Sequence, residues 1–347
     1  MESGTPGGIG KGGAHRGTHR PATRRPALYA TAAALALLIG AVAVGAQVRA
    51  HDRPRSASAR SSAAASPSAT ASGGQANGGS GMERVGREKS GATASATPSA
   101  TALTTALTDA LDAVADGTDA RFSAAVLDTG SAASAVYGGD AYDTASIVKV
   151  DILAALLLRA QDAGRQLTAQ ERSYAGVMIQ QSDNDAATAL WQEIGGATGL
   201  DAANKRLGLT ETHGGQAGRW GLTRTTAADQ LRLLREIFAT GDAGLGHKAA
   251  LSERSRDYIQ QLMGQIAADQ AWGVSAAADD TTGTRLKNGW LPRSATGLWD
   301  VNSIGRVTAG GRTYLVAVLS DGHQDMDTGV TVVETAARAA VHAAATA

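Results

Sequence analysis

Ser146-Ile147-Val148-Lys149 runs straight into Val150-Asp151-Ile152-Leu153-Ala154-Ala155-Leu156-Leu157-Leu158, and the whole stretch reads as a single helix, apolar nearly all round. Such a helix belongs in the centre of a domain, because it has no face to offer to water. Residues three apart share a helical face, so the Ser146 hydroxyl and the Lys149 amine stand side by side where water is scarce. A neutral serine hydroxyl is a poor nucleophile until a base takes its proton. Burial disfavours the ammonium form of lysine, and the positive potential of a helix N-terminus pushes the same way, so Lys149 is a candidate base. The same N-terminus aims backbone N–H groups at the point where an oxyanion would develop. Taken alone, the spacing is equally explained by a capping serine and a lysine that reaches out to water.

Two later polar clusters change that balance. Ser182-Asp183-Asn184 falls between helical patterns at 170–181 and 186–194, where by itself it would be a plain helix cap. Lys287-Asn288-Gly289 lies in a strand in which Leu286, Asn288 and Trp290 alternate with Lys287 and Gly289. By itself that lysine would be an edge-strand charge that discourages aggregation. Arg285 shares the Lys287 face, and an inert surface role suits it better than a place in the site.

Around these clusters the chain alternates in a simple way. Leu103, Leu107 and Leu111 repeat at helical spacing, short strand-like runs follow at 122–127 and 134–137, and a mostly helical middle extends to about residue 269. Three further strands are expected at 284–290, 299–307 and 314–319, and a last helix at 330–345. Strands at both ends with helices between them imply an α+β domain whose antiparallel sheet is assembled from the two ends, with a helical region inserted.

In order, the three clusters resemble the signatures Ser-x-x-Lys, Ser-Asp-Asn and Lys-Thr-Gly of the penicillin-recognising serine hydrolases, that is, the serine β-lactamases and the penicillin-binding DD-peptidases. The resemblance covers about residues 103–340 and is closest to the class A β-lactamases, with support from Ile194-Gly195-Gly196 and from Arg219-Trp220 ahead of Thr225-Thr226. It implies that Ser146 is the acylated nucleophile, Lys149 its proton acceptor or relay, and Ser182 the shuttle to the leaving nitrogen. It further implies that Asn184 binds a substrate side-chain amide, that Lys287 with Asn288 and Gly289 holds a substrate carboxylate, and that the N–H groups of Ser146 and Trp290 form the oxyanion hole. No metal or other cofactor is implied.

The chain departs from the family in three places. The family's Arg-Trp pair is followed by a glutamate that holds the hydrolytic water in a long Ω-shaped loop, whereas Arg219-Trp220 here continues through Gly221-Leu222 into Thr223-Arg224-Thr225-Thr226. Glu211, the nearest upstream carboxylate, reads as a surface residue. The stretch between Ser146 and Ser182 is also shorter than in class A, which implies a more open cleft, and Asn288 stands where a Thr or Ser is usual. Acylation chemistry reads as intact. Deacylation reads as weakened, since one positioned base is typically worth a factor of roughly 10² to 10⁴.

The 347 residues carry no net formal charge, but the two parts differ. Residues 1–100 hold 12 Lys and Arg against 4 Asp and Glu, leaving 20 against 28 in residues 101–347. An acidic domain without a basic stripe argues against nucleic-acid binding. The absence of cysteine rules out disulfides, thiolate metal sites, a cysteine nucleophile and lipid attachment through an N-terminal cysteine. His15 and His19 have no third ligand beside them, and Gly10-Lys11-Gly12 has neither the hydroxyl nor the strand of a phosphate loop.

Four segments are expected: a basic cytoplasmic tail at 1–26, a transmembrane signal anchor at 27–48, a Ser/Ala/Gly linker without apolar period at 49–100, and the catalytic domain at 101–347. The 22 uncharged residues of 27–48 are enough to cross about 30 Å of hydrocarbon. The basic flank keeps the N-terminus in the cytoplasm and sends the rest outside. Val44-Gly45-Ala46 leaves cleavage by signal peptidase as the alternative, with the domain then secreted. The expected protein is a monomer acting on a small molecule, either a β-lactam or a peptidoglycan-like peptide. The competing readings are a DD-peptidase acting on D-Ala-D-Ala ends and a wall-binding or antibiotic-sensing module that turns nothing over.

Overall fold

The computed structural model of the protein describes residues 100–240 and 244–347. The expected tail, membrane span and linker lie outside the described residues. Among the described residues no helix is long and apolar enough to cross a membrane.

Five antiparallel strands form one sheet. The chain opens with helix α1 (Ala100–Ala115), which buries Leu103, Leu107 and Leu111. Strands β1 (Arg121–Asp128) and β2 (Ser134–Tyr137) follow. Strands β5 (Arg285–Pro292), β6 (Trp299–Ala309) and β7 (Arg312–His323) come from the other end of the domain. The order across the sheet is β2-β1-β7-β6-β5, so the first and last strands of the chain meet at β1 and β7, and β5 forms an edge. This is the architecture expected from the sequence. The strands run a few residues past the expected limits because β6 and β7 pair right up to the tight turn at Gly310 and Gly311, both with positive φ.

Alternation along β7 divides the interior. Leu315, Ala317 and Leu319 join the core beneath the helical region, while Tyr314, Val316 and Val318 join the core under α1 and the C-terminal helix α8 (Met326–Thr346). Successive strand residues point to opposite faces, so a strand covered on both sides reads as continuously apolar.

The helical insertion surrounds α2 (Val148–Asp162), in which twelve of the fifteen residues are buried. Each fully buried Leu or Ile there stabilises the fold by roughly 1.5–3 kcal/mol. Packed about it are α3 (Ala169–Gln180), α4 (Asn184–Glu193), α5 (Gly196–Leu207), α6 (Ala227–Phe238) and α7 (Glu253–Met263). Helix α3 starts with a full capping box, in which Thr168 accepts from the Glu171 N–H and Glu171 accepts from the Thr168 N–H. One element has no counterpart in the sequence reading: β3 (Tyr142–Asp143) and β4 (Arg224–Thr225) form a two-stranded pair that ties the approach to Ser146 to the Thr225-Thr226 segment. Two-residue strands are too short to show a period.

Candidate active site

Ser146 lies in a 3₁₀ turn, Ala145–Ile147, that leads into α2, so the α-helix proper begins two residues later than expected. The turn is set by its neighbours. Ala145, just before the serine, has φ 47°, a strained value for a residue with a side chain. The Asn302 side chain donates to the carbonyls of Asp143 (2.9 Å) and Thr144 (3.1 Å), holding the chain from the β6 side. From β5, Gly289 comes so close that a Cβ there would stand 2.7 Å from the Ser146 nitrogen and 2.8 Å from that of Ile147. Only glycine permits that approach, which fixes the Lys287-Asn288-Gly289 strand against the start of the nucleophile helix.

The second cluster reaches the same place through a helix cap. Asp183 caps α4 by accepting from the Ala186 N–H at 2.7 Å, and this leaves Ser182 just outside the helix with φ 56°. Lys149 is fully buried and donates to the Ser182 carbonyl (2.6 Å), Ser182 Oγ (3.0 Å) and Asn184 Oδ1 (2.9 Å). Lys287, also fully buried, donates to the same Ser182 Oγ at 3.0 Å and to the Asn288 carbonyl at 2.8 Å. One hydroxyl thus joins two lysines that are far apart in sequence, and all three clusters line one site.

Burial sets the electrostatics. Loss of water pulls the Lys149 amine down to about 7, against a smaller opposing pull from Asp183. The Lys287 amine is driven well below its ordinary value by burial and then by the nearby Lys149. An amine that is neutral near pH 7 has a lone pair to accept a proton, as a general base requires. The three acceptors around Lys149 saturate the ammonium form, and Ser146 Oγ is not among them. A direct hydrogen bond between Ser146 and Lys149, which side-by-side placement on one helical face suggested, is not formed, because the longer lysine side chain is drawn to the α4 cap.

Asn288 differs from its expected place. It is fully buried, donates through Nδ2 to the Gln270 and Trp272 carbonyls (2.8 and 3.0 Å), and accepts at Oδ1 from Ser303 Oγ (2.6 Å). Strand alternation explains this: Lys287 and Gly289 face Ser182 and Ser146, so Asn288 faces the other way, where segment 268–273 covers it. Its amide is therefore committed inside the protein, and the expected carboxylate contact is withdrawn. Trp290, on the Asn288 face, meets Trp272 edge-on with ring centroids 5.9 Å apart. Arg285 donates to the Thr284 carbonyl at 3.1 Å and lies against Gly264, with no hydrogen bond to Ser146, Lys149, Ser182 or Lys287.

Several contributors escaped the sequence reading. The Trp220 ring centroid lies 4.9 Å from Lys149 Nζ, and its Nε1 donates to Thr188 Oγ1 at 3.1 Å. A Cβ built on Gly221 would meet only the Ala145 Cα, at 3.9 Å, so the residue after the Arg-Trp pair faces open space beside the nucleophile turn. Glu211 takes the Thr226 hydroxyl at 3.3 Å and has no hydrogen bond to the site. Asn302 and Ser303 could have been suspected as adjacent polar residues in the middle of a strand, between Val301 and Ile304.

An antiparallel sheet with a helical insertion, carrying Ser-x-x-Lys at the start of its central helix, defines the class of the serine β-lactamases and penicillin-binding enzymes. Residues 170–344 match the Beta-lactamase2 family, the beta-lactamase enzyme family, and the chain belongs to it. The match includes Ser182, Asn184 and the Lys287–Trp290 strand, and begins after Ser146 and Lys149. Among solved structures, a class A beta-lactamase from Bacteroides cellulosilyticus DSM 14838 is 16% identical with TM-score 0.57, covering 70% of this chain and 98% of that one. TLA-1 extended-spectrum beta-lactamase is 16% identical with TM-score 0.60, over 69% and 98% of the two chains. A PBP-A mutant, solved as an acyl-enzyme complex with penicillin G, is 22% identical with TM-score 0.56, over 70% and 96%. Of named relatives, "Putative lipoprotein LppW" of Mycobacterium tuberculosis (strain ATCC 25618 / H37Rv) is 32% identical over 102 residues, which is 29% of this chain and 32% of that protein. The chain thus spans about a third of the length of that relative.

Proposed function

We propose that the protein is a serine hydrolase of the β-lactamase-like type, which acylates Ser146 with a β-lactam or a related amide or ester and releases the acyl group slowly. The observation that carries this reading is the convergence of Lys149 and Lys287 on Ser182 Oγ, each at 3.0 Å, beside the turn that holds Ser146. In the proposed cycle the neutral Lys149 amine takes the Ser146 proton. Ser146 Oγ attacks the substrate carbonyl, and the N–H groups of Ser146 and Trp290 receive the oxyanion. Ser182, already hydrogen-bonded to both lysines, passes a proton to the leaving group, while Asn184 meets the acyl side chain.

Slow release follows from Gly221, which stands where the family has its water-holding glutamate. A DD-peptidase-like activity is the second reading, favoured by the same glycine. The domain is proposed to work as a monomer outside the cytoplasmic membrane, with residues 27–48 as anchor and 49–100 as tether.

Intact mass after mixing with penicillin tests the proposal. An adduct on Ser146 that decays over many minutes is expected, and Ser146→Ala should abolish it. An adduct that persists in Ser146→Ala would refute the nucleophile assignment, and rapid turnover would refute slow release.

A further inference from the structure

The turn that carries Ser146 is gripped between two cross-strand partners, Gly289 on β5 and Asn302 on β6, which stand opposite each other in the ladder. Gly289 admits the turn by having no side chain. Asn302 holds it with a side chain that is fully buried and fully committed. Both donors of its NH₂ group go to consecutive carbonyls, those of Asp143 and Thr144, and its oxygen accepts from the Ser320 N–H of β7 at 3.0 Å. The amide therefore has one orientation, because a flipped group would aim its donors at the Ser320 N–H and its acceptor at the two carbonyls. Other contacts fix the same segment. The Thr144 N–H donates to the Thr223 carbonyl at 2.8 Å, and the Asp143 carboxylate pairs with Arg224 and Arg293. The chain is thus tied down as far as Thr144, and the strain falls on the next residue, Ala145, with φ 47°.

A residue with a Cβ enters that left-handed region at a penalty of roughly tenfold in population, which glycine does not incur. Freed from its ties, the turn would relax to a negative φ, and relaxation would swing the peptide after Ala145. That peptide carries the Ser146 N–H, and the Ser146 side chain moves with it. We propose, resting on the reading of Ser146 as the nucleophile, that Asn302 is a positioning residue for acylation: its two donors hold carbonyls 143 and 144 so that Ala145 stays at positive φ and Ser146 stays aimed at the substrate carbonyl. The Asn302 amide is spent on three backbone groups, so it acts through the turn and not on the substrate.

Penicillin G acylation, followed by intact mass at a series of concentrations, separates the saturating rate from the concentration that gives half of it. Asn302→Ala should lower the saturating rate by roughly tenfold or more, the population penalty at Ala145, and leave the half-saturating concentration unchanged. Adding Ala145→Gly to that variant should restore most of the loss, because glycine takes a positive φ freely. A role confined to supporting the sheet would not be repaired at position 145. Asn302→Asp keeps the size of the side chain and the acceptor for Ser320 but loses the NH₂ donors, and it takes the place of Asn302→Ala if that variant shows no thermal transition. A folded Asn302 variant that acylates at the wild-type rate, a slow one that Ala145→Gly does not restore, or loss of the fold in both variants would overturn the proposal and leave Ser146 as the nucleophile. Absence of an adduct in the wild type would take down the nucleophile assignment and this proposal with it.

Discussion

In the proposed cycle Lys149 does two jobs with one nitrogen, and pH separates them. As an ammonium it is saturated by Ser182 and Asn184; as an amine it has a lone pair for the Ser146 proton. Burial holds its amine at about 7, so the base form grows as pH rises through that value. The acylation rate of Ser146 should therefore rise tenfold per pH unit below about 7 and level off above it. A stopped-flow profile with phenyl phenylacetate between pH 5 and 9 checks this, and a rate that keeps rising tenfold per unit up to pH 9 would refute a base whose amine is lowered to about 7. In the same proposal Gly221 governs the opposite half-reaction. The space above it admits a side chain, so Gly221→Glu should place a carboxylate beside the nucleophile turn. The lifetime of the penicillin adduct should then shorten by roughly 10² or more, the scale of a positioned general base. An unchanged lifetime would show that the missing glutamate is not what slows release.

Helix α2 is the element on which the site depends, and its burial has a cost inside the helix itself. Asp151, two residues after Lys149, is fully buried, and neither carboxyl oxygen has a hydrogen-bond partner among the described residues. Burial pushes this carboxyl up to about 7, with Gln230 opposing and Asp229 reinforcing the rise. A carboxyl whose folded value lies above its unfolded one favours folding while both states are protonated. That advantage is lost as pH rises from the ordinary aspartate value toward 7. Asp151→Asn is neutral at every pH, so its Tm should gain on the wild type as pH goes from 4.5 to 8. A difference that stays flat across that range would place the charge elsewhere. The helix tolerates such a residue because its other contacts, Ile152, Leu153 and Leu156 among them, supply a continuous apolar seat.

At the scale of the whole molecule, the sheet joins both ends of the domain: β1 pairs with β7 along its full length, and α1 and α8 cover one face. Those contacts involve residues from 100 onward, and the described residues build two continuous cores. A fragment comprising residues 100–347 should fold cooperatively and form the same Ser146 adduct as the full chain. Differential scanning calorimetry and intact mass would check it, and a fragment without a thermal transition would show that the preceding segment contributes to the fold.

The sequence by itself picked out the three polar clusters that the fold brings together and determined how the domain is layered. The apolar run after Lys149 could only be a central helix, and the period-2 runs near both ends could only pair with each other, because each left an apolar face to bury. What only the tertiary structure decided is where the polar ends of those side chains go. Lys149 turns to Ser182 and Asn184 instead of Ser146, Asn288 turns inward to segment 268–273, and Trp220 lies over the Lys149 amine. The physical reason is that hydrophobic periodicity is a local, repeated signal written along the chain. A buried donor instead takes whichever acceptor folding brings within about 3 Å, and that acceptor can lie 30 or more residues away.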